Sequence, residues 1–171
     1  MSLSLYEVSV PALIRGLENL SRQIDKAAAY AQENGLNGDE FVQARLAPDM
    51  LSLAGQVQRA SDTAKFGGAR LSQGQAPSFA DEEATLDELK ARIAKTVDYL
   101  RGVQAKDVDG GDKREIRFKA GQRELQFVAD DYVRNYLLPN FYFHLTTAYG
   151  LLRHKGVPLG KLDYLGNIQA A

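Results

Sequence analysis

Residues 130–156 read DDYVRNYLLPNFYFHLTTAYGLLRHKG, and their apolar side chains recur at the spacing of one helix face. We predict a helix that begins near Asp130 or Asp131 and runs to about Lys155. Gly156 is typical of the residue that ends a helix. The predicted inner face of this helix consists of Val133, Leu137, Phe141, Ala148, Leu151 and Leu152.

Two stretches nearer the N-terminus have the same periodicity. The first predicts a helix over residues 5–34, and a short helical piece over residues 40–46 leads towards the second. Pro48 fits the first turn of that second helix, because the N–H that proline lacks has no partner there anyway. Gly67 and Gly68 are expected to end it.

A long loop and a third helix follow. Residues 67–84 show no periodicity and predict a loop, in which the acidic run at residues 81–83 is expected to be solvated. Thr85 and Glu88 have the spacing of a capping box, which marks a helix start. The apolar positions after them predict a third helix that ends near Gln104.

A period of two then interrupts the helical pattern. Ile116 and Phe118 alternate with charged residues before a turn at Ala120-Gly121, and Leu125 and Phe127 alternate after it. This pattern predicts a β-hairpin. The fold class is therefore all-α: a four-helix bundle with a small accessory hairpin between helices three and four.

The composition limits the function. The chain has 171 residues, which favours a single domain over residues 1–171, and it contains no Cys and only two His. These counts exclude disulfides, thiol nucleophiles and a three-histidine metal site within one chain. A net charge of -1 with no basic stripe argues against nucleic-acid binding. With no apolar run of about 18 residues and no signal-like N-terminus, we expect a cytoplasmic protein that does not bind membranes.

The fourth predicted helix contains the polar residues of greatest interest. Asn140 and His144 are four positions apart, so they lie on the same face, and that face is predicted to point towards the core. One interpretation is a core histidine with satisfied hydrogen bonds, and the other is a ligand pair or a base that lines a pocket. Pro139 either curves the helix around the core or opens such a pocket. His154, in the last turn, is expected to be an exposed charge.

Three motifs point to a family. LPNFYFH at residues 138–144, GKLDYLG at residues 160–166 and RLAPDM at residues 45–50 resemble a bacterial domain-of-unknown-function branch of the DinB/YfiT-like superfamily. The pattern PNFxFHxxxAYxxLRxxGVxxGKxDYLG summarises the C-terminal part, and the resemblance extends over almost the whole chain. It implies a DinB-like four-helix bundle that is often a homodimer.

The resemblance also implies a site. Many members of the superfamily hold a divalent metal with three His and act as thiol-dependent transferases or isomerases on small thiols such as glutathione, bacillithiol or mycothiol. The fourth helix supplies two of these His, and His144 matches the second while Asn140 replaces the first. The third would come from helix two, which has no His here and offers only Gln56 or Asp49.

We therefore expect a reduced site. The candidate ligand-binding residues are Asn140, His144, Tyr149, Gln56 and Asp49. No metal is expected, although His144, Asn140 and Gln56 form a weak candidate set for Zn or Ni, because amide oxygens are poorer zinc ligands than imidazoles. The predicted function is an uncharacterised DinB-like bundle that binds a small ligand beside His144. The alternative is a metal-dependent or His144-dependent enzyme of the thiol-transferase type.

Overall fold

Four long helical segments and one hairpin make up the computed structural model, which describes residues 3–167. The prediction of an all-α fold with a small hairpin between helices three and four is confirmed. In chain order the elements are α1 (Leu5–Glu33), α2 (Leu53–Ser72), α3 (Leu86–Gly102), α4 (Ala105–Val108), β1 (Glu115–Ala120), β2 (Arg123–Val128), α5 (Ala129–Tyr132), a π-helical turn (Val133–Leu137), α6 (Leu138–His154) and α7 (Lys161–Leu165). No helix among residues 3–167 is long and apolar enough to cross a bilayer.

The second helix starts later than the sequence predicts. Pro48 lies in a turn before the helix, and Ser52 is the N-cap, whose hydroxyl accepts a hydrogen bond from the Gly55 N–H at 3.3 Å. The short helical piece predicted over residues 40–46 is a single 3-10 turn that spans Gly38–Phe41. Serine competes well for the cap position because its oxygen satisfies an N–H that has no partner within the helix.

The second helix also continues past the glycine pair. Gly67 and Gly68 lie buried inside α2, which runs on to Ser72, so the prediction that they end the helix is wrong. A Cβ at Gly67 would lie 2.5 Å from Leu137 Cδ1, and one at Gly68 would lie 2.9 Å from Leu100 Cδ2. The glycines are needed because two other helices approach α2 closely at this point, which outweighs their low helix propensity.

Gln73 ends α2 in the left-handed conformation, with a φ of 58°. We expect Gln73→Gly to raise the free energy of unfolding by about 1 kcal/mol, because glycine has no Cβ penalty there. Urea denaturation measures the change. Gln126→Gly, at an exposed position of β2 where φ is negative, is the matched control and should not stabilise the protein. A Gln73→Gly variant less stable than the parent contradicts the prediction.

The last bundle helix is continuous but irregular. The Leu138 N–H donates to the carbonyl of Val133, five residues earlier, which makes the turn before Pro139 π-helical. Pro139 cannot donate a hydrogen bond, so the wider turn lies where the regular ladder would be interrupted. Gly156, with a φ of 90°, follows the helix as predicted. The six residues predicted to form its inner face are all buried.

The bundle packs as a ring in which α2 and α3 neighbour each other, as do α1 and α3, α1 and α6, and α2 and α6. The hairpin pairs antiparallel, with Ile116 opposite Phe127 and Phe118 opposite Leu125. Phe118 and Phe127 pack against the start of the last helix, where Phe118 contacts Tyr136 edge-on with ring centroids 5.1 Å apart. The hairpin is thereby attached to the end of the bundle near the π-helical turn.

Candidate functional site

The seam between α2 and α6 contains His144. Its Nδ1 lies 2.8 Å from Oε1 of Gln56, a buried residue in the first turn of α2. Nε2 of Gln56 donates to the carbonyl of Leu51 at 3.4 Å, which turns Oε1 towards the imidazole. Since an amide oxygen only accepts, Nδ1 carries the proton and Nε2 is left as an acceptor. Nε2 has no hydrogen-bond partner among the residues that the structure describes.

Asn140 lies one helical turn away on the same seam. Its Nδ2 donates to Oγ1 of Thr63 on α2 at 2.9 Å. Asn140 and His144 are both half-buried, so they line the edge of the α2–α6 contact instead of pointing into the core as predicted. The physical reason is that Phe141 and Leu145, each one position further along, occupy the core-facing positions. We call Gln56, Thr63, Asn140 and His144 the α2–α6 seam site.

Two predicted site residues lie elsewhere. Asp49 is exposed in the turn before α2, and no hydrogen bond or ion pair links it to the seam site within residues 3–167. Tyr149 packs edge-on against Tyr164 of α7, with ring centroids 5.8 Å apart. Tyr149 is five positions after His144, which turns it by roughly 140° around the helix. The structure therefore brings together Gln56, Asn140 and His144 but not the other two.

The pKa of His144 lies below its ordinary value. Burial of the imidazole is the larger cause, and the positive charge of Arg59 adds to it. Arg59 is one turn beyond Gln56 on α2 and forms ion pairs with Asp62 and Asp81. His144 is therefore a neutral imidazole at pH 7, which agrees with its single proton on Nδ1.

Arg59→Gln is expected to raise the pKa of His144, because it removes the cation that disfavours the imidazolium. Burial remains, so the pKa should stay below about 6.5. Because the folded state holds this proton less tightly than the unfolded chain, the contribution to stability is complete above about pH 6.5 and is lost as pH falls through the pKa of His144. Arg59→Gln should reduce that loss.

An NMR titration of the histidine ring signals measures this shift, with His154→Gln to assign them. Arg101→Gln is the matched control: it removes an exposed arginine that pairs with Glu18 on another part of the surface. An equal pKa of His144 in the parent and in Arg59→Gln would contradict the proposed effect of Arg59.

The comparisons with known proteins give the family. A family model described as "Domain of unknown function (DUF1993)" matches residues 5–165. The chain belongs to this family. A crystal structure of a DinB family member from Shewanella denitrificans is 39% identical, with a TM-score of 0.88, and the match covers 98% of this chain and 94% of that one. No curated protein matches the chain. The predicted resemblance to a DinB-like domain of unknown function is confirmed.

A divalent metal does not fit the seam site of this DUF1993 protein. Its donors are one imidazole, two amide side chains and a hydroxyl, and the Gln56 oxygen already accepts the His144 proton. Residues 3–167 contain no group of three His, Cys, Asp or Glu side chains that could hold a metal ion. Amide oxygens are weak ligands for zinc and nickel, so three-imidazole chemistry has no counterpart here.

An ionic cluster that the sequence did not predict lies next to the seam site. Asp62 accepts from Lys65 at 3.0 Å and from Arg92 at 2.8 Å, and both cationic side chains are almost fully buried. Asp81 and Glu83 bind Arg92 as well, so these two residues of the acidic run are paired and not solvated as predicted, whereas Glu82 is exposed. Burial raises the pKa of Glu83, but hydrogen bonds from Arg92 and Gln58 outweigh it, so this pKa lies below its ordinary value. The i, i+3 spacing of residues 59, 62 and 65 on α2 could have predicted the ion pairs within this helix, but not their burial against Arg92.

Proposed function

We propose that this DUF1993 protein binds a small ligand at the α2–α6 seam site without a metal, and that Nε2 of His144 accepts a hydrogen bond from a ligand hydroxyl or thiol. The observation that carries the proposal is the 2.8 Å contact between His144 Nδ1 and Gln56 Oε1, which orients the ring and fixes its tautomer. Phe143 supports it: this residue is 58% exposed and its ring lies edge-on to the imidazole, which offers apolar surface beside His144.

A second candidate function is catalysis with His144 as a general base. A neutral imidazole with its Nδ1–H held by a fixed acceptor is the arrangement in which Nε2 takes a proton from a thiol. The superfamily resemblance adds that related bundles transfer small thiols. In this candidate function the thiolate formed by that proton transfer is the nucleophile, and His144 takes the place of a metal in activating the thiol.

The tautomer and the metal are tested first. Long-range ¹H–¹⁵N spectra at pH 7.5 are expected to show the Nδ1–H form of His144 in the parent and its loss in Gln56→Ala, which lacks the acceptor. His154→Gln, which removes the only other imidazole, is the control. Stoichiometric Zn²⁺ or Ni²⁺ in the purified protein that disappears in His144→Ala would overturn the metal-free proposal.

Glutathione then separates the two candidates. Saturable shifts of the His144 ring signals without turnover support a binding protein. Conjugation of glutathione to an activated aryl halide, lost in His144→Ala and kept in His154→Gln, supports the enzyme. If glutathione changes neither the ring signals nor the melting temperature of the parent, the proposal that this site binds a small thiol is wrong.

We also propose a homodimer, which the exposed aromatic surface of α6 supports. Phe143 is 58% exposed and Tyr142 is 39% exposed, a large apolar area for one helix. Sedimentation at micromolar concentration is expected to give twice 18.8 kDa, and Phe143→Ser is expected to give the monomer. Leu162→Ser, at a 73% exposed position on α7, is the control. A parent protein that sediments as a monomer overturns the dimer.

A cytoplasmic location and a bacterial source stay predictions from the sequence.

A further inference from the structure

A cavity lies at the opposite end of α2 from the seam site. It has a volume of about 550 Å³ and lies between the last turn of α2, the loop that follows it and strand β1. Its walls include Phe66, Arg70, Gln73, Arg114, Glu115 and Arg117. Gln56 and Arg70 are 14 positions apart on one helix, so this cavity is roughly 21 Å from the seam site along the axis.

The charge of this cavity is unbalanced. Six Lys or Arg residues of the chain are buried or half-buried: Arg59, Lys65, Arg70, Lys90, Arg92 and Arg114. Four of them have a carboxylate within 4.0 Å in residues 3–167. The two that have none, Arg70 and Arg114, line the same cavity. Its only acidic side chain, Glu115, is paired with Arg117 at 2.7 Å.

Both unpaired arginines are held in place by neutral partners. The Arg70 guanidinium lies 3.8 Å from the ring centroid of Phe118, and its Nη1 donates to the Tyr132 hydroxyl at 3.0 Å. Arg114 donates to the Leu71 carbonyl at the end of α2, where a bare carbonyl would repel an anion. Each guanidinium has five N–H donors, so both retain donors for a further acceptor.

The cavity also offers an apolar wall. Phe66 is 41% exposed, and its ring centroid lies 5.4 Å from the Arg70 guanidinium. A flat apolar group can therefore contact this ring while an attached anion reaches the two arginines. Phosphate and carboxylate are the anions whose paired oxygens match the planar guanidinium fork.

We propose that this cavity binds a small organic oxyanion, a phosphate or a carboxylate attached to a flat apolar group, through Arg70 and Arg114 with Phe66 beside them. This site is separate from the seam site and does not depend on the function proposed for His144. Phenyl phosphate and benzoate are the two probes that distinguish the phosphate from the carboxylate, and inorganic phosphate reports the contribution of the anion alone.

Calorimetric titration of the full chain at fixed salt tests the proposal. Arg114→Gln and Arg70→Gln are each expected to weaken binding of the preferred probe by about tenfold or more, because a charge-assisted hydrogen bond is lost. Arg123→Gln, which removes an exposed arginine at the start of β2, should leave binding unchanged and controls for net charge.

Phe66→Ala keeps the test decisive if an arginine variant unfolds, because Phe66 is at the surface. It should weaken phenyl phosphate or benzoate severalfold and leave inorganic phosphate unchanged. The proposal is overturned if the parent binds neither aromatic probe saturably at millimolar concentration, or if Arg123→Gln weakens binding as much as Arg114→Gln.

Discussion

Asp62→Asn is expected to lower the free energy of unfolding by about 3 kcal/mol. One carboxylate serves three cations here: Oδ1 accepts from Lys65 and Arg92, and Oδ2 lies 3.1 Å from Arg59. The substitution keeps the size of the side chain and removes its charge. Its effect therefore measures the electrostatic role of Asp62 without a change in packing.

Lys65 is the residue that the loss of the Asp62 charge destabilises most. Its side chain is 4% exposed, and Asp62 is the only carboxylate within 4.0 Å of its ammonium group in residues 3–167. Without Asp62, the ammonium keeps only the rings of Phe79 and Phe66, whose centroids are 4.5 Å and 4.9 Å away. Both cation–π contacts are already present in the parent protein, at about 2 kcal/mol each at most, so they do not replace the lost carboxylate. Arg92 loses less, because Glu83 and Asp81 remain beside it.

The double variant Asp62→Asn/Lys65→Met tests this explanation. Methionine fills similar space without a charge, so the double variant should regain about 1 kcal/mol or more relative to Asp62→Asn. Asp98→Asn is the matched control, since Asp98 and Arg101 form an exposed pair that contributes less than about 1 kcal/mol. Urea denaturation measures all four proteins. Asp62→Asn within about 0.5 kcal/mol of the parent, or a double variant less stable than Asp62→Asn, contradicts the interpretation.

The features that the sequence predicted correctly are those that depend on neighbouring residues. Thr85 and Glu88 form the predicted capping box, in which the Glu88 N–H donates to Thr85 Oγ1 at 3.2 Å. The hairpin also has its turn where it was predicted. A period of two on both sides fixes which side chains of the two strands face the same way, and the turn must lie between the two strands. Such signals lie within a few positions of each other, so one sequence contains all of the information.

The features that were missed depend on distant parts of the chain. Gly67 has a low helix propensity, and only the approach of Leu137, seventy positions away, explains why it lies inside a helix. Asp62 and Arg92 look like solvated charges in the sequence, because nothing local indicates that the folded bundle buries them against each other. In the seam site, the spacing of Asn140 and His144 predicted a shared face, whereas the contact with Gln56 required the packing of α2 on α6.

Phe141→Ala is expected to lower the free energy of unfolding by about 4 kcal/mol. The ring is fully buried, and it lies where α6 packs on α1. A Cβ at Gly16 of α1 would lie 2.6 Å from Phe141 Cε1, so the helices approach closely only because residue 16 has no side chain. Removing the ring leaves a cavity that the rigid backbones of two long helices cannot close.

Gly16→Ala provides the test of this close approach. Alone, the new methyl group overlaps the Phe141 ring and is expected to cost about 1–3 kcal/mol, part of which the better helix propensity of alanine offsets. Combined with Phe141→Ala, the same methyl group enters the space that the ring has left. The double variant should therefore be less destabilised than the sum of the single variants by about 1 kcal/mol or more. Additive losses would show that Gly16 and Phe141 do not share this space.

Phe66→Ala is the control for the loss of an aromatic ring, since Phe66 is 41% exposed and should cost about 1 kcal/mol or less. Phe141 faces Gly16 of α1, whereas Asn140 and His144 bond to Thr63 and Gln56 of α2, so the contacts that hold the seam site are separate from the Phe141 packing. The His144 tautomer should consequently be lost in Phe141→Ala only as the whole bundle unfolds. Loss of the Nδ1–H signal in a Phe141→Ala variant that is still folded would show that α6 rotates freely and that Phe141 is needed to hold His144 against Gln56.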